Sequence, residues 1–213
     1  MQPEKVIQDD QAVRDRIMSS ALARFRHYGY SKTTMSEIAA DSGMSTANIY
    51  RYFENKQEIA SRCVSICIRD RIERVEDASG NEHLRARDKL RVFVQTLLKN
   101  CHETYSQDVK IHELVIFISN EHPDIIHNKI ARLQGLLERI LTHGNSTGEF
   151  DVRDIPTTAR AIYSAIAVFD VPLFMNFYPL EEFQKRADEV VDLILEGLAA
   201  KPSRHTREGN PDE

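Results

Sequence analysis

TTMSEIAADSGMSTANIYRYFENK, Thr33 to Lys56, reads as a helix-turn-helix whose second helix is shaped to lie in a DNA major groove. Its anchor is Gly43, with Ala39 four residues before it and Ile49 six after. A small residue is needed where two helices cross tightly. The turn itself needs a residue that takes a positive φ without strain. A branched apolar residue then packs the second helix onto the first. Ile38 and Met44 add core, and Ser45 is a good N-cap for the second helix. Each signal is weak alone, but together they specify the motif.

The flanks extend the reading. NIYRYFENK clusters Tyr50, Tyr52 and Phe53 at the end of the second helix, and Asn55 reads as the cap of a further helix starting near Lys56. Upstream, FRHYGYSKTTM places Gly29 at the end of a first helix. The stretch GYSKTTMSEIAADSGMSTANIYRYFENK, Gly29 to Lys56, resembles the tetracycline-repressor (TetR) family of bacterial transcription regulators. The likeness is close over the first quarter of the chain. Beyond it, only length and an all-helical pattern match. The resemblance implies a homodimer that binds a palindromic operator on double-stranded DNA and lets go when a small molecule binds.

Composition agrees with a folded, mixed-charge protein. A chain of 213 residues can bury a substantial core. The net charge of −5 is unusual for a DNA binder, but residues 1–60 carry 8 basic and 8 acidic residues, so the deficit lies in the remainder. What matters is the face shown to phosphates. Glu37 and Asp41 lie on the first helix of the motif, whereas Ser45 to Tyr52 holds no acid and carries Arg51. The polar, acidic start MQPEKVIQDD argues against a secretory signal, and no apolar run reaches bilayer length. Cys63, Cys67 and Cys101 form no disulfide framework. These features point to the cytoplasm and away from a membrane.

Along the chain, apolar spacing predicts an all-α fold of about nine helices. The first runs from about Asp10 to His27, after a disordered start. Helices two and three are the motif. A fourth runs from Lys56 to about Asp77, a fifth from Arg85 to Tyr105 and a sixth from Asp108 to Asn120. A seventh runs from Pro123 to His143, an eighth from Asp154 to about Asn176 and a ninth to about Ala200. The expected division is a three-helix DNA-binding domain over 10–55, a ligand-binding and dimerisation domain over 56–201, and a disordered tail over 202–213.

Candidate site residues follow from this layout. On the second motif helix the exposed positions are Thr46, Ala47, Asn48, Tyr50 and Arg51. Asn48 suits an adenine edge and Ala47 a thymine methyl, while Ser45 and Thr46 reach a phosphate or a base edge. The family resemblance adds phosphate contacts from Thr33, Thr34, Tyr50, Tyr52 and Lys56. The chain departs from the commonest family pattern at Thr46, where lysine is frequent, and at Arg51, where histidine is frequent. Phe93, Leu97, Phe117, Leu137, Tyr163 and Phe169 are expected to line a cavity for a mainly apolar effector, since helical bundles hold ligands between helices. The alternative is that these aromatics only fill a core. Ile162, Ala165, Ile166, Val190, Leu193 and Ile194 offer surplus apolar surface for a two-fold dimer interface.

A second reading is a metal-binding helical bundle, enzyme or regulator, using His112, His122 and His127. Their spacings of ten and five do not place the rings on one helix face, so a surface or pocket-wall role is favoured. No triad, phosphate-binding glycine loop or nucleotide fingerprint is present. Neither a catalytic role nor a cofactor is expected.

Overall fold

The capping and turn chemistry of the motif is realised residue by residue. The structure is a computed structural model that describes residues 3–107 and 109–199. Thr34 opens α2 (Met35–Asp41) with a reciprocal cap. Its hydroxyl accepts from the Glu37 amide at 3.3 Å, and its own amide donates to the Glu37 carboxylate at 2.8 Å. Gly43 turns the chain at φ +68°, and the Met44 amide then donates to the Ala39 carbonyl at 3.0 Å. Ser45 caps α3 (Thr46–Ile49) by accepting from the Asn48 amide at 3.2 Å. Ile38, Ala39 and Ile49 are fully buried. The short α3 ends in turns through Tyr52, so the second motif helix is shorter than the sequence suggests.

Two arginines of α1 (Pro3–Tyr28) brace this motif. Arg14 donates to the Tyr52 carbonyl at 2.5 Å and lies over the Phe53 ring. Arg24 pairs with both Glu37 and Asp41, so the acids of α2 are neutralised within the domain. The first helix begins at Pro3, not near Asp10. Its apolar stripe, Ile17, Ala21 and Phe25, is fully buried against α2 and the 24-residue α4 (Lys56–Ser79).

Among the described residues the rest is helical. It comprises α5 (Ala86–Gln107), α6 (Val109–Glu121), α7 (Pro123–Ser146), α8 (Ile155–Ile166) and α9 (Leu180–Leu198). The fourth helix is buried on two sides, touching α1 on one and α5, α6 and α7 on the other. It therefore joins the helix-turn-helix end to the larger bundle. The only described strand-like pairing is an isolated bridge between Phe150 and Ala199. No described helix is long and apolar enough to cross a membrane. The tail expected over 202–213 lies outside the described residues.

The eighth helix differs most from expectation. It stops at Ile166 instead of reaching Asn176, and two 3-10 turns, Ala167–Phe169 and Pro172–Phe174, follow. Pro172 lacks an amide hydrogen and would clash with the carbonyl four residues back. The break also lets Asp170 turn inward, where only 9% of it is exposed. At the end of α7, Gly144 leaves room for the Phe150 ring. A Cβ there would fall 2.0 Å from Phe150 Cδ2. Gly144→Ala is therefore expected to destabilise the fold by about 1–3 kcal/mol, the usual cost of overpacking, read as a shifted urea midpoint.

Candidate DNA interface and effector chamber

The motif presents a surface with a defined chemistry. Ala47, Tyr50 and Arg51 are exposed, Tyr50 by 53%. Thr46 and Asn48 are half-buried at the edge of the same helix, and Ser45 is exposed at its start. Tyr52 packs partly into the core. The acids of α2, Glu37 and Asp41, are paired with Arg24 of α1.

Two residues expected on phosphates are placed elsewhere. Thr33 is 1% exposed, and its hydroxyl donates to the Gly29 carbonyl at 2.9 Å. The Lys56 ammonium points into the domain, donating to the carbonyls of Tyr30 and Thr33 at 2.7 Å each. It also sits over the Tyr30 ring at 4.3 Å. Burial lowers its pKa from the ordinary lysine value. Both carbonyls belong to the loop between α1 and α2, which has few partners of its own, so the nearby lysine is used as a clamp. Thr34 remains on the surface, with its hydroxyl committed to Glu37.

Lys56 thus ties the first turn of α4 to the helix-turn-helix unit. A second set of contacts ties that unit to α6. Lys110 donates to the His27 carbonyl, and the Tyr30 and Phe117 rings lie 5.1 Å apart. Phe117 is 40% exposed and faces this junction, so it does not join the other residues expected around the effector. Its spacing matched the apolar stripe of α6, and only the docking of Tyr30 shows which side it serves.

Phe93, Leu97, Leu137, Tyr163 and Phe169 are all buried in one apolar cluster of α5, α7, α8 and the first 3-10 turn. Of these five, only Leu97 reaches an internal cavity, which is nearly closed. The cavity measures about 20 Å³, room for about one water, and is lined by Ile68, Arg71, Ile72, Leu97, Asn100, Lys129, Leu133 and Asp170. Its polar wall was not foreseen. Lys129 pairs with Asp170 at 2.7 Å, and the Tyr163 hydroxyl donates to the same carboxylate at 2.9 Å. Burial and the Asp170 charge push the Tyr163 phenol upward from its ordinary pKa, so it stays a neutral donor. Arg71, Lys129 and Asp170 stand on three different elements, and no local spacing announces them.

The other candidate residues divide. Ile162 and Ile166 are buried within the protomer's own core, which takes them out of the expected interface. Their apolar period marked the inner stripe of α8. Ala165 and Leu193 are exposed, and Val190 and Ile194 are half-buried. His122 opens α7 and lies 3.3 Å from the Gln57 amide of α4. Among the described residues, no three His, Cys, Asp or Glu side chains converge for a metal. Burial pushes the thiols of Cys63 and Cys101 up to about 12, so neither is a ready thiolate.

Two stretches of the chain match known protein families. Residues 17–63 match the family described as "Bacterial regulatory proteins, tetR family". Residues 86–191 match the "Tetracyclin repressor-like, C-terminal domain". The chain is 25% identical over 191 residues to the fatty acid metabolism regulator protein of Bacillus subtilis, covering 87% of this chain and 95% of that one. It is 26% identical over 106 residues to the icaADBC negative transcriptional regulator IcaR of Staphylococcus epidermidis. That match covers 50% of this chain and 45% of IcaR. The crystal structure of the transcriptional regulator FadR from Bacillus subtilis, in complex with stearoyl-CoA, superimposes with a TM-score of 0.60 at 22% identity. It covers 86% of this chain and 98% of that one.

Proposed function

This chain belongs to the tetracycline-repressor family of bacterial regulatory proteins, and on that premise we propose that it is a homodimeric, effector-released repressor of transcription. It is a DNA-binding regulator and not an enzyme. The observation that carries the proposal is the surface of α3. A glycine turn and a serine cap fix its angle, and it shows Ala47, Asn48, Tyr50 and Arg51 with no acid beside them. We place the DNA reader in α1–α3 and the effector and dimer functions from α4 onward, in a cytoplasmic protein. IcaR, a negative regulator, supports repression. The FadR complex with stearoyl-CoA supports a small-molecule effector with a long apolar part.

In this reading Asn48 and Ala47 meet base edges. Ser45, Thr46, Tyr50, Arg51 and Tyr52 serve the backbone or the flanks, with Thr34 at the rim. Phe93, Leu97, Leu137, Tyr163 and Phe169 surround the effector once the chamber opens. Ala165, Val190, Leu193 and Ile194 meet their copies across a two-fold axis that matches the operator's.

The test is binding to a palindromic operator selected from a random pool, followed by base-pair variants. Tyr50→Ala should weaken binding to every variant alike, because phosphate contacts carry no sequence information. Asn48→Ala should relax preference at one base pair per half-site by about 1–3 kcal/mol. Uniform loss from Asn48→Ala would remove it from base reading. Failure to select any palindrome would overturn the proposal itself.

A further inference from the structure

The polar wall of the chamber has an unbalanced charge. Arg71 and Lys129 bring two positive groups to a cavity of about 20 Å³, and Asp170 brings one negative. Lys129 and Asp170 satisfy one another at 2.7 Å, with Tyr163 as a further donor. Arg71 has no such partner. Among the described residues no carboxylate lies within ion-pair distance of its guanidinium, and Asp170 acts on it only through its field. Burial lowers the Arg71 pKa from its ordinary value, the signature of a cation taken from water without full compensation. Two neighbouring polar side chains are already engaged. Asn100 donates to the Arg71 carbonyl at 3.2 Å and accepts from Arg74 at 3.4 Å, while Arg74 faces Glu103 at 3.9 Å. The Cys101 thiol is held neutral by burial.

We infer that this cavity anchors the anion of a monoanionic effector with an apolar body, a carboxylate held by Arg71 and Lys129. The inference rests on the reading that the helical domain receives an effector. One further negative charge brings the three cavity-wall charges to neutrality, whereas a phosphate dianion overshoots it. A buried charge left unmatched is costly, so the balance selects for charge as well as for size. The remaining wall, Ile68, Ile72, Leu97 and Leu133, is apolar and suits the effector's body. Arg71 also lines a cleft of about 560 Å³ between α1 and α4, together with Met18, Leu22 and Ile66. It therefore stands between the cavity and an outer opening.

The site also explains how an effector would be felt at the DNA. A cavity the size of one water must widen to take a carboxylate and its chain. Ile68, Arg71 and Ile72 all belong to α4, so widening displaces that helix. The same helix begins at Lys56, which clamps the loop before α2. Effector affinity then differs between two positions of α4, the requirement for a switch.

Calorimetry on the full chain without DNA tests this with three probes of one body: decanoate, 1-decanol and decyl phosphate. Decanoate should bind about 10- to 100-fold more tightly than 1-decanol, the worth of a desolvated charge-assisted contact. Arg71→Met should erase that preference, keep 1-decanol binding, and melt no lower than the wild type, since it removes a half-buried cation that has no carboxylate beside it. Asp170→Asn leaves two unmatched positive charges and should shift preference toward decyl phosphate. Decanoate binding no better than 1-decanol, binding of neither, or an Arg71→Met variant that keeps the preference or unfolds would each overturn the inference. Operator binding by the same protein without any probe is a separate measurement, so the inference can fail while the regulator reading stands.

Discussion

Lys129→Met is expected to lower folding stability by about 3–5 kcal/mol, the cost of breaking a buried pair from one side. Lys129 is the direct ion-pair partner of Asp170, at 2.7 Å, and their side chains are 20% and 9% exposed. Without the ammonium, the carboxylate keeps only the Tyr163 hydroxyl at 2.9 Å and the more distant field of Arg71. The large effect comes from the orphaned charge, since the pair itself contributes little net stability against an apolar replacement. That distinction can be measured. Adding Asp170→Asn to Lys129→Met should restore more than half of the loss in urea denaturation, because the stranded carboxylate is then gone. If the double variant is as unstable as the single one, the cost lies in lost packing of the lysine stem against α4 and α5. The pair would then not be what holds the 3-10 segment inward.

The second large effect concerns assembly. Leu193→Glu should leave the protomer folded and reduce operator affinity by about 100-fold or more. Leu193 is 71% exposed on α9, so a charge there costs the isolated protomer little. The same helix carries the half-buried Val190 and Ile194, and α8 carries the exposed Ala165. In the proposed dimer this patch meets its own copy, and two glutamates facing each other across the axis are repelled and desolvated. A monomer reads only one half-site. Losing the second removes the effective-concentration gain of linked sites, which is about 10²–10⁴. Sedimentation should show a monomer for the variant and a dimer for the wild type at micromolar concentration. A variant that remains dimeric would move the interface to another face, of which Leu173 and Phe177, both exposed, are the next candidates.

Much of this protein was readable from short-range chemistry. Gly43, Ser45 and Asn55 act within three or four residues of themselves, so turn and cap positions were correctly read from spacing. Thr34 obeys the same rule, although the resemblance had assigned it to a phosphate and its partnership with Glu37 was overlooked. Helix boundaries after α4 fell within a few residues, because the apolar period is a local property. The large boundary errors were the start of α1, at Pro3 instead of near Asp10, and the end of α8, where Pro172 was passed over as a breaker.

What only the tertiary structure decided is who faces whom across elements. Lys56 could have met solvent or a phosphate, and the carbonyls of Tyr30 and Thr33, more than twenty residues away, turned it inward. Phe117 shares its stripe with core residues, yet the approach of Tyr30 places it at the domain junction. Arg71, Lys129 and Asp170 each look like solvated charges when read alone, at positions 58 and 41 residues apart. The fold brings α4, α7 and the broken end of α8 around one small cavity, and there the three charges lose much of their water. Local propensity and period therefore determined that this chain is a helical DNA reader. The chemistry that the chamber asks of its effector was set by burial, because a charge acquires its energetic meaning only from the solvent it loses.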